Sequence, residues 1–183
     1  LRRVLLSSIE GAAPISVKFE GATHEFTAIP GVYEDVINII LNITGLLVVL
    51  KSEEPQTLVI EKKGQGPVKA SDIRPNSLVE IRNPDLVIAN VVDDKASFRA
   101  EIVVANGRGY KSAEELTRGE TTLGIIPLDA TFSPVKRTRW HVEETRVGQM
   151  TNYDRLVLEI WTNGTIKPEE ALVEAGSILR KHL

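Results

Sequence analysis

Apolar positions in the opening segment, LRRVLLSSIEGA, recur at helical spacing. At about 100° per residue, Leu1, Val4, Leu5, Ser8 and Ile9 gather on one side. Leu6 falls well off that stripe, and Arg3 sits one turn before it on the same face. An ordinary amphipathic helix keeps such a leucine on its apolar side, so two readings stand. Either the helix is buried on most sides with Arg3 reaching outward, or it serves two surfaces. The second would be a partner that takes an apolar side chain beside a guanidinium.

Further along, PISVKFE alternates Ile15, Val17 and Phe19 with polar neighbours, the pattern of a half-buried strand. THEFTAI reads as its partner across a turn at Glu20 and Gly21. The stretch GVYEDVINIILNITG predicts a helix with acidic residues in its first turn and Gly45 at its stop. Glu34, Asp35, Asn38 and Asn42 share one polar stripe of it, and most of the remainder is apolar, so a mostly covered helix is expected.

From Leu46 to about Phe132 strand follows strand: LLVVLK, TLVIEKK, LVEIR, LVIANVV, SFRAEIVVA and LDATFS. Turn signals such as GQGP, RPNS, NPD and NGRG separate them, with no long helical periodicity. KRTRWHVEETRV and DRLVLEIW then read as two long strands joined by GQMTNY. The last stretch, KPEEALVEAGSILRKHL, reads as a helix. Pro168 suits its first position, Glu169 and Glu170 complement its positive end, and Arg180, Lys181 and His182 the other. Ala171, Leu172, Ala175, Ile178 and Leu179 form its apolar stripe, and Ala171, Ala175 and Gly176 would let a second backbone come close. Together these elements predict an α+β fold. A discontinuous subdomain of residues 1–10 and 136–183, terminal helices plus antiparallel strands, would carry an inserted β-rich subdomain of residues 11–135.

Composition narrows the function classes. With 42% hydrophobic and 26% charged residues, the 183-residue chain reads as an ordinary globular protein. A net charge of -3 argues against broad nucleic-acid gripping. Having no cysteine excludes disulfides and thiolate chemistry, and fits a reducing compartment. The most apolar stretch, VINIILNITGLLVVLK, is broken by Asn38, Asn42, Thr44 and Gly45, so no membrane span is predicted and the cytoplasm is the expected location. A start on Leu1 without an initiator methionine suggests that the natural N-terminus lies upstream.

Candidate chemistry is sparse. His24, His141 and His182 are scattered with no second ligand at metal spacing. The neighbouring carboxylates Glu34/Asp35, Glu143/Glu144 and Glu169/Glu170 diverge on either a strand or a helix, so none forms an acid–base pair. The glycine-rich pieces lack the strand–loop–helix context of a phosphate cradle. No catalytic, metal or cofactor site is predicted; an enzyme reading would have to draw on Arg139, His141 and Glu143.

Taken in order, LRRVLLSSIEGAA, THEFTAIPGVYEDVINIILNITGL, GPVKASDI, NPDLVIA, NGRGY, LDATFSPV and EIWTNGTIKPEEAL resemble the N-terminal domain of the bacterial-type RNA polymerase alpha subunit over essentially the whole chain. The resemblance implies a non-catalytic scaffold that dimerises through its first and last helices and recruits the beta and beta′ subunits. On this chain the dimer would use Leu1, Val4, Leu5, Ala171, Leu172, Ala175, Ile178 and Leu179. Beta would meet Arg3, Leu6, Glu34, Asp35 and Asn38; beta′ would meet Leu128, Val135 and Arg155. Thr44 and Lys167 depart from the family's usual lysine and aspartate, and MTNYDRL departs from its usual pattern. Because Leu183 ends the chain before the family's C-terminal DNA-binding domain, no promoter binding is expected. The alternative is a β-rich interaction module outside transcription.

Overall fold

The computed structural model describes residues 1–119 and 122–183. It divides into two units, one of Leu1–Ile9 with Ser133–Leu183 and the other of Glu10–Phe132. In chain order the first elements are α1 (Arg2–Ser7), β1 (Glu10–Phe19), α2 (Val36–Thr44), β2 (Val48–Leu50), β3 (Gln56–Lys63) and β4 (Gly66–Lys69). A 3-10 turn at Ala70–Asp72 leads to β5 (Val79–Ile81), β6 (Val87–Val91), β7 (Ser97–Arg108) and β8 (Tyr110–Lys111). The remainder is α3 (Ala113–Thr117), β9 (Ile125–Pro127), β10 (Ala130–Thr131), β11 (Val135–Val147), β12 (Met150–Thr162) and α4 (Pro168–Lys181).

In the larger unit, strict alternation makes β7 the spine. Phe98, Ala100, Ile102 and Val104 point inward and are buried, while the residues between them reach the surface. β7 lies between β3 and β1, and β9 completes an antiparallel sheet in the order β3-β7-β1-β9. The β1 register shifts between Pro14 and Ser16, where proline has no N–H to give the ladder. Val36, Ile39 and Ile43 of α2 are fully buried in the same core as Val17, Leu58 and Ile88. Full burial of each such side chain stabilises by roughly 1.5–3 kcal/mol.

Two expectations for this unit are corrected. THEFTAI is not the strand partner of β1. Its residues close on themselves, with Phe26 N–H donating to His24 Nδ1 and Thr27 Oγ1 donating to the His24 carbonyl. The longer alternating run of β7 takes that edge of β1 instead. The strand-only reading also missed α3, which begins where the Ser112 hydroxyl accepts from Glu115 N–H. The S-x-x-E spacing that signals such a cap was present in KSAEEL.

In the smaller unit, β11 and β12 form an antiparallel hairpin of 13 residues a side. α1 and α4 join one side of it in a core of Leu5, Ile9, Val135, Ala171 and Ala175, with Val4, Leu6, Leu158, Ile160 and Ile166 packed around. Pro168 starts α4 and Lys167 supplies no side-chain cap, so packing rather than capping holds that end. The expected bounds shift. Glu10 opens β1, and Val135 pairs with Thr162 and lies in the core with Leu5, so it belongs to the unit of the two chain ends and not to the insert.

Thr138 sits opposite Ile160 at only 5% exposure, and its hydroxyl has no hydrogen-bond partner among the described residues. Thr138→Val keeps the shape and removes the unpaired oxygen. It should raise stability by about 1 kcal/mol, read as a higher urea midpoint; a lower midpoint would mean that the hydroxyl is satisfied in solution.

Candidate interaction surfaces

Alanines at 171 and 175 are small enough to bring the α4 backbone against its own core. The consequence is a correction. Leu5, Ala171 and Ala175, expected at a dimer surface, are 0% exposed within this unit. Val4 and Leu6 are half-buried against the same core, so part of the Leu6 side chain stays accessible. The outer side of α4 instead presents Leu172, 38% exposed, and Val173, 73% exposed. Beside them, a Cβ added at Gly176 would meet nothing within 4 Å. Ile178 and Leu179 are half-buried on the flanks, while Leu1 and Arg3 are exposed on α1.

The hairpin side that is covered at Thr138, Leu158 and Ile160 continues as an uncovered row of Trp140, Val142 and Leu156. Its opposite side is polar. Arg137 stacks 4.2 Å over the Trp161 ring, and His141 Nε2 lies 2.9 Å from Glu143 Oε1. Arg155, opposite Glu143 in the register, is exposed. Arg139, His141 and Glu143 therefore share one exposed strand face. Among the described residues, no group of three metal-ligating side chains comes together.

In the larger unit, α2 turns Ile37 and Leu41 to solvent, and Phe26 and Tyr33 are exposed on the preceding segment. Asp35 and Asn38 are exposed as expected for contact residues. Glu34 is not free: its carboxylate accepts from Asn90 N–H at 2.7 Å and Asn90 Nδ2 at 2.6 Å. The helix also begins later than expected, at Val36, which leaves Glu34 and Asp35 ahead of its first turn. Leu128 and Val135, expected at a second partner, are buried in the cores of their respective units, so of that set Arg155 alone is accessible. Apolar residues in alternating or helical patterns show that a side is covered, but not by what.

Asp129 accepts a 2.7 Å hydrogen bond from Ala113 N–H at the start of α3. Desolvation, and then the Asp129 carboxylate beside it, raises the Tyr110 phenol above its ordinary value. The exposed Phe26, Tyr33 and Leu41 were missed in the sequence. Residues of that type read as core until the fold leaves them outside.

No helix among the described residues is long and apolar enough to cross a membrane. Residues 17–133 match the RNA polymerase Rpb3/RpoA insert domain. The chain is 51% identical over all 183 residues to the DNA-directed RNA polymerase subunit alpha of Carboxydothermus hydrogenoformans, covering 58% of that protein. It is 50% identical to the subunit of Heliobacterium modesticaldum, again over 58% of its length, and 51% identical to that of Rhodopirellula baltica, over 55%. The chain thus spans a little over half of these relatives, and a module outside transcription finds no support among them. With the insert domain matched across most of the larger unit and half of all positions shared with alpha subunits, the chain belongs to the RNA polymerase Rpb3/RpoA insert domain family.

Proposed function

We propose that the chain is an assembly platform of a bacterial RNA polymerase in the cytoplasm. Two copies pair through the unit that holds α1 and α4, and the pair receives the beta and beta′ subunits. The chain itself contributes no catalytic residue and no cofactor. One observation carries the reading: each unit keeps an apolar face that its own core leaves uncovered. In the smaller unit Leu172 and Val173 are exposed on α4 and Trp140, Val142 and Leu156 on the hairpin; in the larger Ile37, Leu41, Phe26 and Tyr33 are exposed. Contiguous exposed side chains of this size, rimmed by polar groups, mark surfaces that another molecule covers. Identity of about half along the whole chain to polymerase alpha subunits supports the polymerase as that setting.

Self-association belongs to α4, and capture of beta to α2 with Arg3 of α1. For beta′, Arg155 is the accessible candidate. Arg3→Ala in the intact alpha subunit should leave its self-association unchanged and weaken beta capture by about fivefold, a loss of about 1 kcal/mol. Light scattering and a pull-down titration read the two effects separately. Conversion of Arg3→Ala to a monomer would place that guanidinium in the self-association surface instead.

A further inference from the structure

α2 runs along the edge of β6 that β4 leaves open. On the far edge, β4 sets Pro67 opposite Asn90 and Val68 opposite Ala89. On the near edge, Val32 bridges to Val91, and Tyr33 N–H donates to the Asn90 carbonyl at 2.9 Å. Asn42 Nδ2 donates to the Ile88 carbonyl at 2.9 Å. Asn90 N–H and Nδ2 complete the set by donating to Glu34. A carboxylate only accepts, so it also dictates which way the Asn90 amide points.

At the start of α2 the Val36 N–H donates to the Thr27 carbonyl at 3.1 Å. Asp35, at the N-cap, makes no side-chain bond to the helix, and α2 has no acidic residue in its first turn. Glu34 and Asn42, eight residues apart, tie the two ends of the segment to one strand. The rotation of α2 is thereby set. A slip of one residue, about 100°, would exchange its buried and exposed positions.

We propose that Glu34 is a positioning residue: clamped to Asn90, it fixes the rotation of α2 that presents Ile37 and Leu41 to the beta subunit, and it touches no atom of that partner. This rests on the reading of α2 as the beta-docking face. Charge assistance gives the clamp its strength, because one carboxylate holds two N–H groups at short distance. Glutamine in its place would offer a single acceptor oxygen and turn an N–H₂ toward a donor.

The test uses the whole alpha subunit titrated with beta, and hydrogen exchange at the Asn90 amide. Glu34→Ala, which removes both bonds, should weaken capture by roughly five- to tenfold, and Asn90→Ala, which keeps the backbone donor, by less. The double variant should be no weaker than the worse single one, and Glu34→Gln should fall between. Asn90 N–H should exchange faster in Glu34→Ala. Independent, multiplying losses would mean direct contact with beta and overturn the proposal. So would unchanged exchange at Asn90. Undiminished capture by Ile37→Asp and by Leu41→Asp would instead sink the docking role of α2 itself, whatever the exchange shows.

Discussion

If two copies pair through α4 as proposed, replacing Leu172 and Val173 together by aspartate is expected to leave a monomer without unfolding it. Both side chains project from the outer side of α4, so the unit's own core loses little when they change. Their value lies in what a second copy would cover. Covering the exposed parts of both contributes about 2 kcal/mol per copy and about twice that over two copies, so losing them weakens pairing by at least about a hundredfold. Carboxylates opposed across a two-fold interface add repulsion. The control is Ala175, which is buried against its own unit: Ala175→Asp should unfold that unit rather than separate copies. Sedimentation and circular dichroism together distinguish the outcomes. A double aspartate variant that still dimerises would move the interface elsewhere.

Gly31→Ala is expected to be the most damaging small substitution in the larger unit. Gly31 has φ of +78°, and an added Cβ would fall 2.3 Å from Ala96 Cβ. Its carbonyl accepts from Val92 N–H at 2.8 Å, so the backbone cannot simply back away. Left-handed strain and overpacking together cost on the order of 3 kcal/mol. Gly148 supplies the comparison. It also has positive φ, but an added Cβ meets nothing within 4 Å, so Gly148→Ala should cost about 1 kcal/mol. Denaturant midpoints measure the difference, and equal losses would show that strain alone matters at Gly31. Since Gly31 leads into α2, the partly unfolded variant should also capture beta poorly.

Periodicity made the terminal helices, α2 and the β11–β12 hairpin legible, because each buries one side against a single surface. The segment 23–29 was misread since a short alternation cannot compete with local side-chain bonds such as those of His24. The α1 wheel placed Val4, Leu5 and Ile9 on the covered side, but it also placed Leu1 there, which is exposed. It could not tell that Leu5 is consumed by its own core while Val173, near the other end of the chain, stays outside. Glu34 looked like part of a solvent-facing stripe because its partner, Asn90, lies 56 residues away. Local pattern reports how a residue is covered, and only the fold reports by whom.

Sedimentation velocity of the 183-residue chain across the micromolar range tests the platform most directly. The account predicts a species of twice 20.2 kDa that persists on dilution into low micromolar concentration. A single 20.2 kDa species at every concentration, with Leu172 and Val173 protected from solvent by their own polypeptide, would contradict it.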